Sequence, residues 1–277
     1  IAITDVYEAE ARHDLAGVTR IVEENNVAVA LERLSVLTGQ QHGQLQLLSD
    51  EFTPELPMPT DRSAWVDFAL ENNYELAAVR FAEEAARQNA KSRQMGHAPR
   101  VSAQVSYSES DTTGTVTPPN AFNLPPNSEG EDESFQIRLD MPLYAGGAIS
   151  ANRRRAAEQF NAARENRINL TRNTITASRS LHMTVSSDVA RVNARKQAIK
   201  STQSALDATV AGYEVGTRNI VDVLNAQNAV FAAQRDYANS RYDYVLYSMR
   251  LKENAGTLSP EDIAALEAFL VEPEAAS

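Results

Sequence analysis

Long stretches of the chain carry apolar residues at the spacing of a packed helix. Intervals of three, four or seven residues separate the members of one set, which comprises Val185, Val189, Val192, Ile199, Leu206, Val210 and Tyr213. A similar set runs from Val223 to Leu251. A repeat of about 3.5 residues is typical of coiled coils. Gly212 and Gly216 interrupt the pattern between the two sets, so the spacing predicts a long helical hairpin with its tip at 212–222.

Two further helices are predicted before this hairpin. Residues 1–37 have a helical pattern that ends at Thr38-Gly39, a typical C-terminal signal. A second helix is expected over 62–97, with Asp61 or Ser63 as its cap. The connector between them, 38–61, contains three prolines, and we expect little regular structure there.

Two segments alternate between apolar and polar residues, which is the period of a β-strand. The apolar positions are Val101, Ala103, Val105 and Tyr107 in the first and Phe135, Ile137, Leu139, Met141 and Leu143 in the second. An acidic loop rich in proline and glycine is expected at 109–133. One apolar and one polar face fits a membrane barrel wall, with lipid facing Val101, Val105, Tyr107, Phe135, Ile137 and Leu139. A soluble hairpin with one buried face fits equally well, and two strands alone cannot close a barrel.

The first and last long helices have similar sequences. Ile3-Thr4-Asp5-Val6 returns as Ile220-Val221-Asp222-Val223, and Gly39 returns as Gly256, in each case 217 positions later. We interpret this as an internal repeat. On this interpretation the chain begins just after one hairpin tip and later runs through a second. A first repeat, with its own strands and long helix, is therefore expected before Ile1.

The composition narrows the possible functions. The net charge is −11 and no long basic run offsets it, which argues against a nucleic-acid partner. The absence of cysteine rules out disulfides and thiolate metal sites, and the four histidines lack metal-ligand spacing. No nucleophile elbow, phosphate loop or pair of catalytic carboxylates stands out. We therefore expect no enzyme activity, no cofactor and no metal.

Four motifs resemble those of the TolC-like outer-membrane efflux and secretion channels. They are YEVGTRNIVDVLNAQ (213–227), AITDVYEAEARHD (2–14), RYDYVLYSMRLKENAGTLS (241–259) and MPLYAGGAIS (141–150). The resemblance covers nearly the whole chain. It implies a mainly α fold, with long antiparallel coiled-coil helices forming part of an α-helical tunnel and two β-strands contributing to a trimeric transmembrane β-barrel. It also implies a homotrimer in the lipid of the bacterial outer membrane, spanning into the periplasm, with a periplasmic adaptor and an inner-membrane pump or exporter as partners.

On this plan the chain divides into six segments. They are a returning tip helix of the first repeat (1–37), an equatorial connector (38–61), a helix leading to the barrel (62–97), two barrel strands with an extracellular loop at 109–133 (98–145), a long hairpin with its periplasmic tip at 212–222 (146–256), and a C-terminal equatorial segment and tail (257–277). The implied function is a passive exit duct for efflux or type I secretion, gated at the tip.

The resemblance also implies roles for five residues at the tip. Tyr213 and Arg218 restrain the closed entrance, and Asp5 is a bonding partner on the neighbouring helix. Asp222 matches the first of two aspartates that narrow the entrance in the family's type member. Asn225 stands where the second is expected, so a threefold ring would carry half as many carboxylates. We expect weaker cation binding at such a ring.

Simpler interpretations exist for the same tip residues. Asp5 and Asp222 each follow a turn, where carboxylates cap a helix or favour its dipole. Arg218 alone would be a solvated turn residue, and Gly212 and Gly216 would serve only the backbone of the turn. For the whole chain, the alternative function is a structural coiled-coil protein or a periplasmic adaptor without a channel of its own. The alternating strands favour the channel, because an adaptor is expected to carry compact soluble β domains.

Overall fold

The computed structural model describes residues 3–113 and 127–272, which form six α-helices and four β-strands. In chain order these are α1 (Ile3–Thr38), β1 (Leu47–Leu48), α2 (Arg62–Asn72), α3 (Tyr74–Gln94), β2 (Arg100–Thr113), β3 (Asn127–Asp140), α4 (Ala148–Glu214), α5 (Ile220–Ala255), α6 (Pro260–Glu267) and β4 (Leu270–Val271). The predicted class, mainly α with long helices and a strand pair, is confirmed. Contacts divide the chain into a larger unit, up to Leu76 and from Leu170 onward, and a smaller unit, Ala77–Asn169.

The internal repeat predicted from the sequence is visible in the helix bounds. Helices α1 and α5 each contain 36 residues. Each is followed by a glycine in the left-handed region, Gly39 with φ 70° and Gly256 with φ 68°. Two constraints exclude a side chain at Gly256. Its backbone is left-handed, and a Cβ there would clash with the backbone carbonyl of Asn72.

Helices α4 and α5 form the predicted antiparallel hairpin. Asn254 Nδ2 donates to Ser178 Oγ at 2.6 Å, far from the turn. Nearer the turn, Arg195 Nη1 lies 2.5 Å from Asp236 Oδ2. Residue numbers thus rise along α4 while those of their partners fall along α5. Between these pairs Val185 and Val192, two positions of the predicted apolar set, are buried.

The core of the larger unit lies where α2 meets the hairpin. Trp65, Val185, Leu251 and Ala255 are buried together, and partly buried aromatic and leucine side chains pack around them. The indole nitrogen of Trp65 donates to the carbonyl of Pro59 at 2.8 Å, so the ring is both packed and hydrogen-bonded. This bond also fixes the end of the connector to the start of α2.

The connector over 38–61 is held mainly by side chains of α5. Arg241 is only 6% exposed and donates to the carbonyls of Leu48 and Ser49. The hydroxyl of Tyr244 donates to the carbonyl of Glu55 at 2.8 Å. Regular structure in the connector is limited to β1, which pairs antiparallel with β4. The expectation of little regular structure therefore agrees with the fold.

The single helix expected over 62–97 is wrong, because it breaks at Asn73. This residue has extended backbone angles (φ −65°, ψ 119°) and separates α2 from α3. Its side-chain oxygen accepts from Leu76 N at 2.8 Å, as an N-cap does, and its Nδ2 donates to the carbonyl of Asn254 at 2.9 Å. Asparagine competes in this way with the helical backbone. The cap at the start of α2 is Asp61, whose side chain accepts from Ser63 N.

The two long strands extend beyond the segments that alternate in sequence. β2 and β3 pair antiparallel from Arg100 opposite Asp140 to Thr113 opposite Asn127. Of the loop expected at 109–133, residues 109–113 and 127–133 are therefore strand, and 114–126 lie outside the described residues. Backbone pairing continues where acidic residues replace the apolar ones, with Glu109 opposite Glu131 and Asp111 opposite Glu129, so the alternation of apolar residues cannot reveal it. β3 ends at Asp140, so Met141 and Leu143 follow the strand.

None of the described helices combines the length and the hydropathy required of a membrane span.

Replacing Leu251 tests the position of the core. Leu251→Ala should lower the free energy of unfolding by about 2–5 kcal/mol, because it leaves a cavity beside Trp65. Leu246→Ala, on the same helix at a side chain that is 47% exposed, is the matched control and should cost much less. Urea unfolding followed by circular dichroism measures both. Equal losses would contradict this placement of the core.

One carboxylate is buried on α4. Asp188 is 1% exposed, its Oδ1 lies 2.8 Å from Arg191 Nη2, and that nitrogen also lies 3.6 Å from Asp243 of α5. Within the described residues Oδ2 of Asp188 has no hydrogen-bond partner. Burial raises the pKa of Asp188 above its ordinary value of 3.8, although Arg191 opposes the shift. Burial at this site therefore opposes ionisation of the Asp188 carboxyl group more than water does.

Asp188→Asn should stabilise the chain near neutral pH, because it removes a buried charge. The wild-type cost is absent where Asp188 is protonated in both the folded and the unfolded state. It grows as pH rises from the unfolded-state pKa to the folded-state pKa and is constant above that. The gain in free energy of unfolding should therefore be largest at about pH 7 and vanish below about pH 4. Urea titrations across this range measure it. Asp243→Asn, which removes a half-exposed carboxylate of the same cluster, is the control; a gain independent of pH would contradict the prediction.

Candidate functional site

The turn between α4 and α5 is shorter than the predicted tip. Helix α4 continues through Gly212 to Glu214, and α5 begins at Ile220. The carbonyl of Gly212 accepts from the backbone nitrogens of Thr217 at 2.8 Å and Arg218 at 3.1 Å. A Cβ on Gly212 would stand 2.8 Å from Arg218 Cγ, and Gly216 has φ 78°. Both glycines therefore serve the backbone of the turn, one by allowing close approach and one by its left-handed conformation.

Asp222 takes part in a capping box at the start of α5. Asn219 Oδ1 accepts from Asp222 N at 2.8 Å, and Asp222 Oδ2 accepts from Asn219 N at 3.4 Å. The capping interpretation of Asp222 is thereby confirmed. Sequence reasoning missed Asn219. An asparagine three positions before an aspartate is a pattern that predicts a capping box, so it could have been found.

Arg218 and Asp222 are close but loosely paired. Their nearest nitrogen and oxygen atoms are 3.9 Å apart, and their side chains are 60% and 37% exposed. Solvent screens such a pair, so it contributes little to stability. The turn thus presents a guanidinium group and a carboxylate that are both accessible to other groups.

Asp5 and Tyr213 stay apart from this pair in the described structure. Both side chains are half-buried. Neither makes a side-chain hydrogen bond or ion pair with Arg218 or Asp222 in the part of the chain that is described. The contact of Asp5 with Arg218 that the resemblance implies is therefore not made within one chain, and the tip network stays a prediction.

Asn225 bonds to a residue that the sequence did not single out. Its Oδ1 accepts from Arg12 Nη1 on α1 at 2.7 Å. Beyond this contact, a groove of about 800 Å³ between the two helices is lined by later residues of both, up to Thr19 on α1 and Arg235 on α5. The two helices therefore run parallel. Arg12 and Asn225 are 213 positions apart, and Arg218 is likewise 213 positions after Asp5. No local pattern could have identified Arg12.

The six positions expected to face lipid share one face of the β2–β3 hairpin. Val101 is paired with Leu139 and Val105 with Phe135, so their side chains project to the same side. Their exposed fractions, with those of Tyr107 and Ile137, run from 59% to 76%. The paired residues Gln104 and Gln136 belong to the opposite, polar face. The smaller unit thus presents a continuous, uncovered apolar strip.

The described residues offer little catalytic chemistry. No group of three or more histidine, aspartate or glutamate side chains in 3–113 and 127–272 is arranged to hold a metal ion. The carboxylate with a burial-raised pKa, Asp188, belongs to the α4–α5 packing and lies well away from the turn along α4.

Comparison with known sequences identifies one family and several relatives. The family model described as "Outer membrane efflux protein" matches residues 65–257. Outer membrane protein TolC of Escherichia coli K12 is 33% identical over 276 residues, which are 99% of this chain and 56% of that protein. Alkaline protease secretion protein AprF of Pseudomonas aeruginosa is 28% identical over 98% of this chain and 55% of its own length. The chain thus spans about half the length of the curated relatives it matches.

Solved structures share the fold at lower sequence identity. The outer membrane protein VceC of Vibrio cholerae superimposes with a TM-score of 0.72 at 16% identity, over 92% of this chain and 58% of that one. The open state of the MtrE outer membrane channel of Neisseria gonorrhoeae gives a TM-score of 0.59 at 15% identity, over 91% and 55% of the two chains.

Proposed function

Because the chain belongs to the outer membrane efflux protein family, we propose that it forms part of a passive exit duct for efflux or type I secretion in the bacterial outer membrane. The duct extends into the periplasm and is gated at the α4–α5 turn. It requires no cofactor and performs no chemistry. The observation that carries this proposal is the exposed apolar face of the β2–β3 hairpin.

A two-stranded hairpin with an uncovered apolar face is at best marginally stable in water. Its apolar side chains need an apolar surrounding, and its two outer edges leave backbone groups unpaired. Lipid supplies the apolar surrounding, and neighbouring strands of a closed barrel pair with the backbone groups at the edges. This supports the assignment of Val101, Val105, Tyr107, Phe135, Ile137 and Leu139 to a lipid-facing surface. It also disfavours the alternative of a soluble adaptor.

Helix α1 supports assembly with further copies or repeats. None of its residues is buried, and even its apolar side chains Leu15, Val18 and Ile21 are each at least 60% exposed. Helices with such faces become stable by packing against others. We propose that three copies form a helical wall that continues the barrel into the periplasm. A periplasmic adaptor and an inner-membrane pump or exporter are the proposed partners.

The names of the relatives indicate two kinds of export, secretion and efflux. AprF is described as an alkaline protease secretion protein, and BepC of Brucella suis as an outer membrane efflux protein. We propose that this chain serves export of the same general kind, with its direction set by an energised inner-membrane partner.

The gate is tested by releasing the proposed latch residues. The full-length protein should form channels in planar lipid bilayers, and Arg218→Ala or Tyr213→Phe should raise their single-channel conductance, because each removes a polar group that restrains the turn. Arg20→Ala is the matched control, since the Arg20 side chain is 75% exposed on α1 and, within the described residues, pairs with Glu24 alone. Failure of the wild type to form channels would overturn the proposed function. Unchanged conductance in both tip variants would overturn the latch alone.

Asp222 is tested through block by multivalent cations. Asp222→Asn keeps a side-chain oxygen for the capping box but removes the charge, so it separates capping from cation binding. If Asp222 lines the constriction, the variant should need a roughly tenfold or higher concentration of a trivalent cation for half-block, since each lost charge weakens attraction by about 1 kcal/mol even in water. Asp14→Asn, an exposed carboxylate of α1, is the control. Equal block in wild type and Asp222→Asn would place this carboxylate outside the constriction.

A further inference from the structure

The contact between Arg12 and Asn225 has no counterpart elsewhere between the two helices. In the described part of the chain, no other side-chain hydrogen bond or ion pair joins α1 to α5. Apolar packing between them is thin: Leu15 and Phe231, which line their groove, are 68% and 58% exposed. The register of α1 against the first turns of α5 therefore depends heavily on this one polar contact.

We propose that Arg12 is a positioning residue of the tip, which clamps α1 to α5 through Asn225 and resists their separation. This inference rests on the proposed function in one respect, namely that separation of these helices opens the duct. Asn225 is one helical turn after Asp222, so a movement of the start of α5 away from α1 breaks the contact directly.

The geometry of Arg12 suits a clamp. Nη1 donates to Asn225 Oδ1 at 2.7 Å, while Nη2 lies 3.3 Å from Glu8 Oε1 on the same helix. The carboxylate of Glu8 binds Nη2 and orients the guanidinium group, so that Nη1 is directed at Asn225 on α5. The Arg12 side chain is 30% exposed, and its Nε is shielded from solvent without a partner among the described residues. Removing the acceptor of a partly desolvated cation costs more free energy than removing the acceptor of a fully solvated one.

The contact also gives Asn225 a role of its own. The family resemblance implied only that a neutral residue at this position weakens an acidic ring. In the structure the amide oxygen of Asn225 is occupied by a cation from α1, so the residue joins two helices. The neutral amide of Asn225 accepts a charge-assisted hydrogen bond from Arg12 without forming an ion pair. The contact is therefore directional, and it is weaker than a salt bridge. Asn225→Asp should therefore tighten the clamp as long as Arg12 is present.

The test measures helix pairing and conduction separately on the full-length protein. Hydrogen exchange of backbone amides over 8–19 and 221–232, followed by mass spectrometry, reports the clamp whether or not channels form. Arg12→Gln should speed exchange in both segments roughly tenfold, since it removes a hydrogen bond from a charged group. Arg20→Gln, on the same helix at a side chain that is 75% exposed and pairs with Glu24, is the matched control and should leave exchange over 221–232 unchanged. Normal exchange across β2 and β3 verifies that the variants fold.

Two further variants sharpen the outcome. Arg12→Lys keeps the charge but loses the fork that bonds Glu8 and Asn225 together, so it should restore protection only partly. Asn225→Asp should slow exchange and lower single-channel conductance, and adding Arg12→Gln to it should reverse both effects. Non-additivity of this pair supports a direct contact.

The results separate the two levels of inference. Faster exchange with higher conductance in Arg12→Gln supports the clamp. Equal exchange over 221–232 in Arg12→Gln and Arg20→Gln overturns it. Faster exchange with unchanged conductance overturns its part in gating. A wild type that forms no channels overturns the proposed function, while the exchange data still decide whether Arg12 clamps the helices.

Discussion

Helix α5 is the common partner on which the larger unit depends. Long helices gain little stability alone and must bury an apolar face against a neighbour. Leu251 and Ala255 of α5 bury that face against Trp65, and Arg241 holds the connector by bonding its backbone carbonyls. A buried guanidinium group is costly unless it is hydrogen-bonded, so Arg241 specifies the path of the connector as well as stabilising it.

The packing of the hairpin becomes looser toward its turn. Val185 and Val192 on α4 are 1% and 2% exposed, whereas Ile199, Leu206 and Tyr213, further along the same seam, are only half-buried. Segments with less buried apolar surface open at lower free-energy cost. The core around Trp65 can therefore stay intact while the turn and its adjoining helical turns move. This gradient is a physical basis for the proposed gate at the tip of an otherwise stable hairpin.

The proposed role of the chain accounts for the surfaces that its own folding leaves uncovered. The strip from Val101 to Leu139 and the apolar side chains of α1 are exposed in a single chain, and uncovered apolar surface of this extent marks an interface. In that proposed role, lipid against the strands and neighbouring helices against α1 would remove both exposures. The polar contacts at the turn are different, because Arg218, Asp222 and Asn225 interact through charges and amides that solvent can replace.

The sequence by itself determined the hairpin and the alternating strands, since each depends on a short period that neighbouring residues carry. It also showed the repeat, because two segments 217 positions apart have similar residues. It also located the turn, because Gly216 needs a left-handed backbone. The break at Asn73 was missed because no glycine or proline marks it, and it depends on a bond to the distant Asn254. The bond of Arg12 to Asn225 was decided by the tertiary structure for the same reason. A contact between residues far apart in sequence requires two helices to meet in one register, and no local pattern encodes that meeting.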